Sequence, residues 1–196
     1  DDLRIRMAWL RAKLSLDVGV PEKTLELVDS MIAAMASTKS ELRAEITSSA
    51  RLLQADAFFA LPGREVEGLE TLRRLRTDNP QSNAAVYTFM KEANFAASQN
   101  RFVEAQSLLI KLADDFGKHA YAPYALYEAA LNAERRGQDT FYRDANRLIE
   151  RLIRDYPRSE LVFYARLKQG DLLRKLNEFP LAQQAYEELV NTFPKH

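Results

Sequence analysis

The residues able to do covalent or metal chemistry in this 196-residue chain are few and scattered. Its two histidines are His119, in the turn "GKHAYAP", and His196, at the chain end. There is no cysteine, which excludes disulfides and thiolates but leaves the compartment open. A zinc site would have to be assembled from histidines and carboxylates that show no ligand spacing, so both histidines are expected in solvent. The carboxylate pairs Asp114–Asp115 and Glu187–Glu188 fall near helix ends and on polar faces, where solvated charge is the expectation. "LPGRE" at residues 61–65 is a turn lacking the Gly-rich and Lys-Ser/Thr parts of a phosphate loop. Nothing marks a nucleophile elbow. No catalytic, cofactor or metal site is expected.

The side chains that recur in register are aromatic, and their chemistry is recognition. Tyr87, Tyr124 and Tyr164 each stand six positions before a small residue: Ala93, Ala130 and Gly170. Met90, Tyr127 and Leu167 stand three before it, and Asn94, Leu131 and Asp171 directly after it. Trp9 falls in the three-before slot of an earlier, weaker unit, and Arg135 and Arg174 are among the polar followers, with Ser98, Glu134 and Lys175. Tyrosine offers large area, few rotors and a polar tip, which suits a protein-binding surface. The same spacing lets the rings pack between neighbouring helices. The two roles coexist when a ring packs on its body and exposes its hydroxyl.

The small residues belong to an internal repeat. "GLETLRRLRTDNP", "AQSLLIKLADDFG", "ANRLIERLIRDYP" and "AQQAYEELVNTFP" share one frame, in which a small residue precedes Pro or Gly by 12 positions. The terminators Pro80, Gly117, Pro157 and Pro194 are spaced 37, 40 and 37 apart. Leu108, Leu109, Leu112, Ala113 and Phe116 follow a helical stripe, as do Leu148, Ile149, Leu152, Ile153 and Tyr156. Proline lacks the amide a helix needs and disfavours helix in the residue before it, so each segment ends there. The aromatic before it is free to fold back onto the stripe.

Upstream of each lies a second helix, closed by a turn residue seven positions after its small residue: Asn100, Gly137 and Asn177. Gly and Asn tolerate the left-handed conformation of a tight helix–helix turn. Earlier turns are expected at Gly19 and Gly63, although Asp56 fills the small position before Gly63. Pro21 opens a helix through about Ala36, and the 44 residues from Thr24 to Gly68 imply a long helix from about Glu41 to Ala60. Paired small positions let two antiparallel helices approach closely.

The pattern resembles the tetratricopeptide repeat (TPR) family. "GDLLRKLNEFPLAQQAYEELVNTFP" carries it best, with Gly170, Asn177, Phe179, Ala182, Tyr186 and Pro194 at the family's positions. The unit is longer than the family's 34 residues. Units near 37 residues ending in "YPRS" are similar to a bacterial subgroup. It includes the TPR lipoprotein of the outer-membrane β-barrel assembly machinery and the periplasmic TPR protein of the Tol-Pal system; the lipoprotein's lipidated cysteine is absent here. The resemblance implies an all-α superhelical solenoid of about five hairpins and ten helices. It forms a single domain with units of approximately 2–38, 40–80, 82–118, 120–158 and 159–196. It further implies that the first helices line a concave groove at Trp9, Tyr87, Met90, Asn94, Tyr124, Tyr127, Leu131, Arg135, Tyr164, Leu167, Asp171 and Arg174.

Bulk properties agree with a helix-rich folded chain: 46% hydrophobic residues, six Gly and seven Pro. Twenty-eight basic and 28 acidic residues provide no global attraction for phosphate backbones or anionic lipid, so nucleic acid is not an expected partner. Arg73, Arg74 and Arg76, and Arg151, Arg154 and Arg158, are interleaved with Glu67, Glu70, Glu150 and Asp155 and are expected to pair on helix surfaces. No apolar run approaches the roughly 20 residues that span a bilayer. The chain starts without Met and is expected to be a piece of a longer protein, any lipid anchor lying outside it.

The expected function is a non-enzymatic scaffold for a peptide or partner protein. Alternatives are an assembly component on the periplasmic side of the bacterial cell envelope, or a recruiting region of a larger enzyme, with a cytoplasmic location as the alternative site. An apolar face on the last helix (Leu181, Ala185, Tyr186, Leu189) suggests self-association through terminal helices.

Overall fold

The computed structural model describes residues 2–36, 43–78 and 80–194, and every regular element among them is an α-helix. In chain order these are α1 (Asp2–Asp17), α2 (Pro21–Met35), α3 (Arg43–Phe59), α4 (Glu65–Asp78), α5 (Asn83–Ser98), α6 (Phe102–Asp115), α7 (Ala122–Glu134), α8 (Asp139–Asp155), α9 (Leu161–Lys175) and α10 (Phe179–Thr192). The expected all-α architecture of ten helices is therefore present. Pro21 opens α2, and α3 is long at 17 residues. Glu41, His196 and the expected unit boundaries at 38 and 40 lie outside the described residues.

All five expected turns adopt the left-handed backbone. Gly19, Gly63 and Gly137 have φ of 80°, 80° and 74°, and Asn100 and Asn177 both have 59°. Only glycine, or a residue with a short polar side chain, reaches this region cheaply. The geometry closes the preceding helix: Arg101 N–H donates to Ala96 O at 2.8 Å, and Glu178 N–H to Leu173 O at 2.9 Å. These bonds satisfy carbonyls that the helix end would leave open. The turns at Gly19, Gly63, Gly137 and Asn177 each join two helices that pack on one another as a hairpin.

The chain forms two compact units, Asp1–Glu92 and Ala93–His196, divided inside α5. In the first, α1 packs on α2 and α3, α2 on α3, and α3 on α4. Its core holds Ala12, Val28, Met31, Met35, Ala50 and Leu53. In the second, consecutive helices from α6 to α10 pack on one another, and α7 also touches α9. Leu109, Leu112, Ile149 and Leu152 are at most 2% exposed, each contributing roughly 1.5–3 kcal/mol of apolar transfer.

The paired small positions mark close approaches. Ala12 and Thr24 are fully buried, and the Thr24 hydroxyl donates to Ala12 O at 3.3 Å. Ala93, Ala105, Ala130, Ala145, Gly170 and Ala182 are all buried. A Cβ on Gly170 would stand 2.4 Å from Cε1 of Tyr186, so the α10 ring occupies the space that a side chain on α9 would need. The α3–α4 hairpin reverses this arrangement. There Gly68 of α4 receives the ring of Phe59 from α3, at 2.6 Å from the same virtual Cβ. With the approach made at Gly68, Asp56 need not be small. Its half-buried carboxylate accepts two hydrogen bonds of 2.6 Å from Lys91.

Three expectations are corrected. His119 is half-buried rather than in solvent. Its ring stacks on Tyr121 at 5.5 Å, and Nδ1 accepts the Tyr121 N–H at 3.2 Å. Arg73 and Arg76 do not pair with Glu67 or Glu70. Both reach Glu92 of α5, whose side chain is 3% exposed, at 2.9 and 2.8 Å, because a buried carboxylate demands compensation that a surface glutamate does not. On α10, Ala185 and Leu189 are buried and Tyr186 is half-buried; Leu181 is exposed, with Phe179 and Val190. The aromatic terminators fold back as expected. The Tyr156 hydroxyl donates to Gly117 O at 2.9 Å, and Phe193 meets Phe163 edge-on at 5.5 Å.

Candidate functional site

The contact between α7 and α9 in the second unit places two first helices of successive hairpins side by side. Their buried faces are built from small and aliphatic residues: Ala122, Ala125, Leu126, Ala129, Ala130 and Ala133 on α7, and Val162, Ala165, Gly170, Leu172 and Leu173 on α9. Helical spacing then leaves the register positions of the tyrosines away from the core.

Tyr124 and Tyr164 are 37% and 55% exposed, and Leu167 is 40% exposed. Tyr127, Leu131 and Asp171 are half-buried, and Arg135 and Arg174 are exposed. The result is a partly wet aromatic ledge. Tyr121 meets Tyr124 edge-on at 6.4 Å and stacks on His119, while Phe163 meets Tyr164 edge-on at 5.4 Å. These partners fix the ring planes before any ligand arrives, which lowers the ordering cost of binding.

The remaining expected residues are on α1 and α5. Asn94, in the second unit, is exposed. In the first unit Tyr87 is 38% exposed and Met90 is half-buried. Trp9 packs against the α1–α2–α3 core and lines a hollow of about 310 Å³ with Arg6, Leu10, Glu45, Ile46 and Ser49.

Electrostatics around the ledge were less legible from the sequence. Glu134 of α7 accepts hydrogen bonds from two α9 lysines, Lys168 at 3.0 Å and Lys175 at 2.7 Å. Burial alone would raise the Glu134 carboxyl, but the bonds from Lys175 and Lys168 outweigh it and hold the group below its ordinary value. That direction is opposite to the one a general acid near neutrality requires. The Tyr127 phenol is pushed up by burial and by the negative potential of Glu128, Glu134 and Asp171. Burial and Glu128 likewise raise Tyr124. Both phenols are thereby held as neutral donors. Asp171 is itself engaged, accepting the Tyr186 hydroxyl at 2.8 Å.

The sequence reading missed this lysine clamp. Its available signal was spacing: Lys168 follows Glu134 by 34 residues and Lys175 follows it by 41, close to one unit. Arg151 to Asp114, 37 residues apart at 2.6 Å, and Arg143 to Glu178, 35 apart at 2.6 Å, are bonds of the same kind between hairpins. Among the described residues no cluster of three or more His, Asp or Glu could hold a metal ion, and no helix is long and apolar enough to cross a membrane.

Residues 164–196 match a family model described as a tetratricopeptide repeat; these include Gly170–Pro194, whose motif suggested that family. Among solved structures, the chain is similar to a kinesin-light-chain protein of Podosopora anserina with nearly identical TPR-like repeats, at 16% identity over 98% of this chain and 95% of that one, TM-score 0.65. It is similar to BtubC from P. vanneervenii, at 11% identity over 100% and 85%, TM-score 0.69. It is also similar to PilF of Pseudomonas aeruginosa, at 16% identity over 97% and 77%, TM-score 0.62. At these identities the likeness shows the fold, which is TPR-like. No curated protein matches the chain by sequence.

Proposed function

We propose that this chain is a non-catalytic protein-interaction scaffold that holds an extended peptide or a helix of a partner protein on the α7–α9 ledge. Five hairpin units, close to 2–38, 40–80, 82–118, 120–158 and 159–196, supply the frame. The observation carrying the reading is that Tyr124, Tyr164 and Leu167 remain 37–55% exposed on helices that each bury one face in the core. Their rings are already oriented by neighbours. Tyrosine hydroxyls held as donors, with Arg135 and Arg174 at the rim, suit backbone carbonyls and acidic side chains of a polypeptide.

A narrower reading within this class is an assembly component of the bacterial cell envelope, facing the periplasm. It is supported by the long units and the "YPRS" ending, and cell fractionation of the native protein tests it separately. The scaffold reading is tested by capturing partners with the purified chain and repeating the capture with Tyr124→Ala/Tyr127→Ala. The expected result is loss of specific partners at least about tenfold, with the melting temperature less affected. Unchanged partner affinity per folded molecule refutes the ledge as the binding surface.

A further inference from the structure

The first helix carries a second surface, independent of the ledge. Leu3, Met7, Leu10, Leu14 and Val18 are 71%, 46%, 58%, 61% and 65% exposed. Their spacings are four, three, four and four. At about 100° per residue, the four on α1, Leu3 to Leu14, fall within about 60° of arc, a single apolar file roughly 17 Å long, and Val18 follows just past the helix end. The opposite face of α1, with Ile5, Ala8, Trp9, Ala12 and Leu16, is packed into the core. The spacing of four, three and four from Leu3 to Leu14 in a narrow file is the pattern of a helix–helix seam.

Four basic residues flank the file, and Asp17, near its C-terminal end, is the exposed acidic neighbour on the Arg6 and Lys13 side. Arg4 and Arg11 project on one side, Arg6 and Lys13 on the other, at positions corresponding to the e and g sites of a heptad. Arg4, Arg6 and Arg11 are exposed, and Lys13 pairs with Asp17. Beside Leu10, the hollow of about 310 Å³ lined by Trp9 and Ile46 offers a seat for one large apolar side chain.

We propose that the α1 seam docks an amphipathic helix of another protein whose apolar stripe is flanked by glutamate or aspartate. Charge selects this occupant. Pairing with α1 of a second copy, parallel or antiparallel, sets Arg and Lys against Arg and Lys, and like charges at these sites disfavour association. A bilayer surface is a poorer fit. Helices that lie in a membrane present a wide apolar face, whereas this file is one residue across and its helix is held against α2 and α3.

The test uses the full chain and a fluorescently labelled three-heptad peptide with leucine at a and d and glutamate at e and g, read by anisotropy. A lysine-flanked version of the peptide is the control. Binding of the acidic peptide only is expected. It weakens at least about tenfold in Leu10→Ser/Leu14→Ser, and Arg4→Glu/Arg6→Glu/Arg11→Glu reverses the preference to the lysine-flanked peptide. All five substitutions lie on exposed positions, and circular dichroism confirms that the variants stay helical. No binding, or equal binding of the two peptides, overturns the proposal. So does seam-dependent dimerisation in sedimentation, or seam-dependent binding of phosphatidylserine vesicles that the acidic peptide fails to displace.

Discussion

Gly170 gives the sharpest test of how the hairpins are held. In an exposed helix interior, Gly→Ala stabilises by about 1 kcal/mol, since alanine loses less backbone freedom. Here the new methyl would stand 2.4 Å from Cε1 and 2.6 Å from Cζ of Tyr186. The ring must retreat by more than about 1 Å to restore ordinary contact. The retreat strains a packed interface, at about 1–3 kcal/mol. It also loosens the 2.8 Å hydrogen bond from the Tyr186 hydroxyl to Asp171, which contributes about 0.5–1.5 kcal/mol. Set against the helix gain, Gly170→Ala is expected to destabilise by about 1–2 kcal/mol. With the ring gone, only the gain remains. In a Tyr186→Ala background the same substitution should stabilise by about 0.5–1 kcal/mol. The four proteins form a cycle measured by urea denaturation at 222 nm, and the coupling should be about 2–3 kcal/mol. If Gly170→Ala stabilises equally in both backgrounds, the close approach of α9 and α10 is refuted.

Three further outcomes are expected. Asn177, at φ 59°, should tolerate Gly, whereas Asn177→Ala should cost about 1 kcal/mol, read by the same denaturation. A bulky residue at Ala182, 4% exposed, should force its hairpin apart: Ala182→Trp should cost about 1–3 kcal/mol, and a parental melting temperature would mean that the frame is misplaced. Glu134 should leave a mark on the acid limb of stability. Its folded value lies below the ordinary 4.5, so its contribution is present above that value and lost as pH falls through the lower, folded one. Lys175 is raised above 10.5 chiefly by its bond to Glu134, so its share is present below 10.5 and lost as pH rises through the folded value. Melting temperature against pH should therefore be flatter below pH 4.5 in Glu134→Gln than in the parent.

Local rules made the helices and turns readable. Gly19, Gly63, Asn100, Gly137 and Asn177 declare the hairpins because few other residues adopt positive φ. Pro157 and Pro194 mark helix ends for an equally local reason. Long-range compensation was harder to read. Glu92 looks like any surface glutamate until α4 and α5 bring it against Arg73 and Arg76. Gly68 and Phe59 exchange the roles held by Gly170 and Tyr186, so a fixed small-residue frame misread Asp56. The tyrosine register marked positions that stay partly exposed, Tyr87, Tyr124 and Tyr164, but the Lys168–Glu134–Lys175 clamp depends on which helices become neighbours. The bare file on α1 escaped because its apolar residues share a helix with core residues, and periodicity alone does not say which stripe is covered.

The most direct test of the scaffold function is site-specific photocrosslinking in the native host. A benzophenone amino acid replaces Tyr127 on the half-buried part of the ledge, and in a second protein replaces Arg147 on the exposed face of α8. A discrete crosslinked polypeptide from position 127, absent from position 147 and lost when Tyr124 and Tyr164 are changed to alanine, is the predicted result. Identical crosslinks from both positions, or none from 127 while 147 captures a partner, would contradict it.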